Sequence, residues 1–404
     1  MKITQLEVFP VRPRWVFLKV HTDEGIVGLG EPSLEGYAHT VAQAVQEMGR
    51  FLIGQDPRRI EHLWQALYRG EFYRGGPVLL SAISGIEQAL WDILGKWLGV
   101  PVWQLLGGPV RERVRVYAHI AGETPDDLAR HAEQRLEEGY TAVKFSPVRR
   151  TWPIDTLAVV KGVRAKVAAV RRAIGDENDF MLDFHGRVSP PMAILLAEAV
   201  AEFHPLFVEE PCLPENVDAL ARIAQKVSVP IATGERLFTK WGFRQVLEKQ
   251  AASVIQPDPC HAGGISECKK IAAMAEAYFV SVAPHNPLGP IATAACLHLD
   301  ASIPNFLIQE VVSLGQGYLK EPFVVEKGFI SLPPAPAWAS NWTRRLSKGW
   351  SPSRTGNTFA GITPTARWPI GEGYLSTATS AIQSSCSPKA WSPPAASARK
   401  ITPT

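Results

Sequence analysis

The chain has 404 residues, 46% hydrophobic and 20% charged, the composition of a soluble globular protein long enough for two domains or for one barrel with additions. Its formal net charge of +3 divides unevenly: residues 1–333 hold 34 basic and 38 acidic side chains, and residues 334–404 hold 8 and one, so the basic excess lies in the tail and gives no support for nucleic-acid binding. With no run of 18 apolar residues, no basic start ahead of an apolar core and no CxxC among its five cysteines, the chain is expected to be cytoplasmic, reduced and without a membrane span.

Residues 1–30 read as a strand pair, KITQLEVFPV and WVFLKVHT, rich in β-branched and aromatic side chains, followed by a DEG turn into IVGLGE. Residues 38–69 predict helix with a break at GQDP. After the loop FYRGGP, residues 79–98 predict a strongly apolar helix closed by Gly99, with Pro101 beyond. Strands followed by helices, without alternation, predict an α+β domain over residues 1–110.

From Arg113 the pattern alternates. VRVYAHI predicts a strand, DDLARHAEQRLEEG an amphipathic helix closed by Gly139, TAVKFS a strand ending near Lys144 and Ser146, and residues 155–174 a helix. Then short apolar runs each end in a polar residue: Asp183 with His185, Glu209 with Glu210, Glu235, Asp258, His285 and Glu310. The steps from Asp183 through Glu209, Glu235, Asp258 and His285 to Glu310 are 26, 26, 23, 27 and 25 residues, each room for one strand, one helix and two short loops. Eight such strands predict a (β/α)8 TIM-type barrel over residues 111–320, with the strand-end side chains gathered at one mouth. Its last helix has no support, because VVSLGQGYLKEPF carries no helical period. Residues 321–333 are a return segment. Residues 334–404, with one acid and five of the twelve tryptophans, sustain neither period and predict an aberrant, low-structure tail, disordered or translated out of frame.

Asp183, Glu209 and Glu235 are the candidate metal ligands. Three hard oxygen donors favour Mg2+ over Zn2+, and three carboxylates around one point need a cation to stay ionised together. Each alone reads equally as a helix cap or an arginine partner; their recurrence on successive strands argues for a site. Strand parity sends Glu210 to the face opposite Glu209 and sets His185 on the same face as Asp183. Asp258 and His285, ending neighbouring strands, form a candidate carboxylate–imidazole general base. Glu310 could donate a hydrogen bond to substrate if it were held protonated. The glycines of HAGG (261–264) and Gly28 and Gly30 read as turn or strand-end glycines, since no GxxxxGK[ST] or GxGxxG opens a helix after a strand.

These residues carry a resemblance. Asp183, Glu209 in VEEP, Glu235 in GER, the Asp258–His285 pair and Glu310 resemble the mandelate-racemase-like branch of the enolase superfamily, and residues 1–110 resemble its capping domain. RWVFLKVHTDEGIVGLGEP, FYRGGPVLLSAISGIEQALWDI, DFHGRVSPPMA, HAGGISECKKIAAMAEAY and APHNPLGPIATAACLH are similar to the D-galactonate dehydratases of that branch. The resemblance implies Mg2+-dependent dehydration of a sugar acid to its 2-keto-3-deoxy acid. His285, helped by Asp258, would take the C2 proton, His185 would protonate the departing C3 hydroxyl, and Glu310 would steady the enediolate. The expected partners are a small sugar acid and further copies of the chain, with neither nucleic acid nor membrane. Ser146 stands where the racemases of the branch often carry a second lysine. Two other readings remain at this stage: a racemase or epimerase on a related acid, and an inactive scaffold with a damaged cap. Arg12, Arg14 and Trp15 could reach the distal hydroxyls of the substrate or simply pack at the surface.

Overall fold

The computed structural model describes residues 1–11, 14–148 and 151–334. The segment after Pro334, with the expectation of an out-of-frame tail, lies outside the described residues, as does Arg12.

The first sheet has three antiparallel strands rather than a pair: β1 (Ile3–Val11), β2 (Trp15–Thr22) and β3 (Val27–Gly30), in the order β1-β2-β3. The third strand is the VGLG that follows the DEG turn. Three helices follow, α1 (Ala38–Leu52), α2 (Ile60–Arg69) and α3 (Pro77–Leu98). Leu18 and Val20 of the sheet meet Val41, Val45, Leu63, Ile86 and Ile93 of the helices in one apolar core. α3 is long and apolar enough to cross a membrane, but 78% of that stretch is buried inside the fold; it is the central helix of this layer. β3 lies tight on α3 because it carries no side chain there: a Cβ on Gly30 would overlap the carbonyl of Gly85. These glycines serve close packing. α3 ends at Gly99, whose φ of 71° supplies the left-handed cap the sequence predicts. The short helix α4 (Val102–Leu105) leads out of this layer.

The remaining elements alternate: β4 (Arg113–His119), α5 (Pro125–Glu137), β5 (Ala142–Phe145), α6 (Leu157–Ile174), β6 (Asp179–Asp183), α7 (Pro190–Val200), β7 (Val208–Glu209), α8 (Val217–Lys226), β8 (Ile231–Thr233), α9 (Thr239–Glu248), β9 (Val254–Ile255), α10 (Ile265–Glu276), β10 (Ser281–Val282), α11 (Pro290–Ser302) and β11 (Gln309–Glu310). Capping residues start several helices; Thr124 accepts from the Asp127 N–H while the Asp127 carboxylate accepts from the Thr124 N–H, a capping box on α5. The strands are parallel in the order β10-β9-β8-β7-β6-β5-β4-β11. The ring closes where Val282 at the end of β10 bridges Phe306 in parallel, just ahead of β11, with the Val282 N–H donating to the Asn305 carbonyl at 2.8 Å. Tyr117, Ala142, Met181, Phe207, Ala232, Val254, Ala283 and Ile308, one from each strand or its edge, fill the interior with a buried layer. Helices pack on the outside over a second, larger apolar core.

Among the described residues no helix follows β11, although the repeat calls for one; the segment there carries no helical period. The chain runs back below the ring, and β12 (Phe329–Ser331) pairs antiparallel with β4, Phe329 opposite Arg115 and Ser331 opposite Arg113.

Candidate active site

Asp183 is the last residue of β6 and Glu209 the last of β7, and the parallel register sets them side by side. Glu235 lies two residues past β8, reached through Gly234 at φ 145°. One carboxylate oxygen from each of the three lies within 4.8 Å of the others. Asp183 and Glu209 are buried and Glu235 nearly so. Burial raises Glu209 to about 7 and Glu235 well above the ordinary carboxylate range, and for both the neighbouring carboxylates add to the rise. Three buried acids converging with only oxygen donors fit a hard divalent cation such as Mg2+.

His185 reaches the cluster by a route other than strand parity. β6 stops at Asp183, and His185 sits beyond it at φ 50°, in the left-handed region that a β-carbon makes unfavourable. Its backbone N–H donates to Asp183 Oδ1 at 2.7 Å, and its Nε2 lies 2.9 Å from Asp183 Oδ2. The turn, and the glycine behind it at φ 62°, bring the ring back over the carboxylate that ends the strand.

On the other flank, His285 Nδ1 lies 2.8 Å from Asp258 Oδ2, and its Nε2 is 3.3 Å from Glu235 Oε2. Burial opposes a charge on this ring, but Glu310, Glu235 and Asp258 around it raise its pKa well above that of a free histidine. Glu210 lies just beyond β7 at φ 44°, off the strand alternation, and its carboxylate is engaged away from the triad. It is buried and accepts from the Thr233 hydroxyl and from Arg236, whose Nε is 2.8 Å from its Oε2.

Glu310 is buried, the condition for a protonated acid, yet one lysine and two histidines lie close to it. Lys144 Nζ is 2.9 Å from Oε1, His119 Nε2 is 2.5 Å from Oε1 and His285 Nε2 is 3.9 Å from Oε2; the Asn286 N–H also donates to Oε2 at 2.7 Å. Burial pushes the carboxyl up, but Lys144 and His285 outweigh it and hold Glu310 well below the usual range. That direction disfavours the protonated form that a hydrogen-bond donor to substrate would need.

Lys144 and His119 are the residues the sequence reading left without a role. Lys144 is 1% exposed and donates to both oxygens of Glu209, at 2.8 and 2.7 Å. His119 is the last residue of β4 and Lys144 the last but one of β5, the same strand-end signal that marks the named site residues. Ser146 donates to the Val148 carbonyl at 2.9 Å, so this position offers no second base. Trp15 is buried and packs edge-on against Tyr318, ring centres 5.2 Å apart. Arg14 pairs with Glu35 at 2.9 Å and donates to the Pro287 carbonyl at 2.8 Å, tying the first sheet to the loop after His285.

A closed parallel ring with a carboxylate triad and two imidazoles at its mouth carries the groups that an acid–base enzyme site with a cation would use. The chain belongs to the enolase superfamily: residues 127–341 match its Enolase C-terminal domain-like family, and residues 11–107 match the Mandelate racemase / muconate lactonizing enzyme N-terminal domain. It is 50% identical over 346 residues to a D-galactonate dehydratase of Ralstonia nicotianae, covering 83% of this chain and 91% of that one. It is 51% identical over 320 residues to a D-galactonate dehydratase of Pectobacterium atrosepticum, covering 79% and 84%. Among solved structures, an enolase superfamily member from Salmonella Typhimurium superposes with a TM-score of 0.82 at 33% identity, covering 86% of this chain and 98% of the other. A mandelate racemase/muconate lactonizing enzyme from Jannaschia sp. CCS1 gives 0.81 at 34% identity, covering 88% and 99%.

Proposed function

We propose that the protein is a hydro-lyase that dehydrates a sugar acid, D-galactonate first among candidates, to the 2-keto-3-deoxy acid, with Mg2+ held by Asp183, Glu209 and Glu235. The observation that carries this reading is the pair of imidazoles flanking one triad: His185 at 2.9 Å from Asp183 and His285 at 3.3 Å from Glu235. The 50% identity to D-galactonate dehydratases supports the substrate class. In this reading residues 1–110 are the cap, 111–320 the barrel and 321–333 the return segment.

A Mg2+ at the triad supplies positive charge for the substrate carboxylate and for the enediolate that follows proton loss. The protein's own groups do the rest. The Nδ1–H of His285 donates to Asp258, which orients the ring so that Nε2, in its deprotonated form, takes the C2 proton. His185 gives its proton to the C3 hydroxyl as the C3–O bond breaks, so water leaves. The enol then ketonises to give the 2-keto product. Glu310 holds Lys144 and His119 in place, and the Lys144 ammonium balances charge that develops on the substrate.

The test is His185→Asn. Dehydration of D-galactonate should fall by at least about 10²-fold, the scale of general acid catalysis, while exchange of the C2 proton with solvent deuterium continues. His285→Asn should lose both. Full dehydration by His185→Asn would remove His185 from the role of acid, and optical change without a carbonyl product from the wild type would make the enzyme an epimerase instead.

A further inference from the structure

The first sheet and its helices do more than cover the barrel. α3 runs beside the loop that follows Asp258 and holds it through side chains: Gln88 donates to the Pro259 carbonyl at 3.0 Å, Ser84 accepts the Gly263 N–H at 3.0 Å, and Glu87 accepts the N–H groups of Ile265 and Ser266, both at 2.8 Å. In the middle of this clasp is His261, a side chain 9% exposed. Its Nδ1 lies 2.9 Å from the Ser81 hydroxyl, and its Nε2 lies 3.6 Å from Asp258 Oδ2, the oxygen that also meets His285 Nδ1 at 2.8 Å.

Ser81 has one hydroxyl hydrogen and two acceptors within reach, the Pro77 carbonyl at 2.7 Å and His261 Nδ1 at 2.9 Å. With that hydrogen directed at Nδ1, the neutral ring carries its own on Nε2, the nitrogen that faces Asp258. The other oxygen of Asp258 is taken by the Cys260 N–H at 2.6 Å. Asp258 is thus approached from three sides: a backbone donor, the base it serves and, at 3.6 Å, a second imidazole anchored to α3. A carboxylate that orients a catalytic histidine is itself oriented by its outer partners.

We propose that His261 is a positioning residue for the Asp258–His285 dyad, and that Ser81 anchors it, so that the orientation of the base is set from the first domain. The proposal rests on the reading of His285 as the base, and its test has an arm that needs no turnover. His261→Ala should lower kcat by about 10- to 100-fold, the effect of removing an outer partner of a site, with KM changed less than about twofold because His261 touches no substrate. His261→Gln, whose amide can donate to Asp258, should recover most of the loss. Independently of activity, the low-field proton NMR signal of the His285–Asp258 hydrogen bond, identified by its absence in His285→Asn, should broaden or vanish in His261→Ala and persist in His261→Gln. Ser81→Ala should weaken the signal in the same direction. A signal unchanged in His261→Ala, or a kcat within twofold of wild type, overturns the proposal. If the wild type turns over no sugar acid, the functional reading fails while the NMR signal still decides the role of His261.

Discussion

Glu31 shows how one side chain can tie the two halves of the molecule and leave a titration signature. It ends the GLGE stretch, is fully buried, and accepts the Gly289 N–H at 2.7 Å and the Ala292 N–H at 2.9 Å, at the start of α11. Burial raises its pKa from 4.5 to about 7, against the pull of those two backbone donors. The folded form therefore binds this proton more tightly than the unfolded chain. The group costs nothing below about pH 4.5, and its cost grows as pH rises through the window to about 7. A rise of this size corresponds to about 3 kcal/mol. Urea titrations of wild type and Glu31→Gln should show the wild type losing about that much stability relative to the variant between pH 4.5 and 7.5. A difference that does not change with pH would place the proton elsewhere.

At the same scale, the triad and both histidines stand out in the chain because each follows an apolar run at a steady interval. The pKa of Glu310 does not, since the groups that lower it, Lys144 and His285 first, come from elsewhere in the ring. His185 was placed beside Asp183 by an alternation the backbone does not keep; a left-handed turn does the same work.

Elements were legible where their signals are local. α1, α2 and α3 follow apolar periods, and Gly99 marks a real end. β3 and β12 were missed as strands because each is short and becomes a strand only by pairing with β2 or β4. α3 also held an unread signal: Ser81, Ser84 and Gln88 recur at three- and four-residue steps inside an otherwise apolar helix and are all buried. Buried polar side chains at helical spacing need partners, and theirs lie on the loop after Asp258. The contact of β3 with α3 makes a separate prediction. Gly30→Ala should destabilise the protein by about 1–3 kcal/mol through overpacking, visible as a lower urea midpoint. An unshifted midpoint would mean that the sheet can move off the helix freely.

For the whole molecule, the triad joins three successive strands, β6, β7 and β8, through residues that repel one another when all are ionised. A cation that binds the folded state alone should stabilise it by mass action, about 2.7 kcal/mol at a hundredfold excess over Kd. Differential scanning calorimetry should therefore show Tm rising with Mg2+ and falling with chelator, with the rise largely lost in Glu235→Gln. A wild-type Tm indifferent to Mg2+ would argue against a bound metal whatever the activity.

β4 is the first strand of the ring to be made and among the last to find its neighbours. Val116 and Tyr117 pair with Gln309 and Glu310, and Arg113 to Arg115 pair with residues 329–331, so on a ribosome one edge of β4 stays open while roughly 190 further residues are synthesised. An arrested nascent chain anywhere in that interval carries an unpaired strand edge, the kind of surface on which chains stick together. Stalled translation is thus a more dangerous event for this protein than its finished, edgeless ring would suggest.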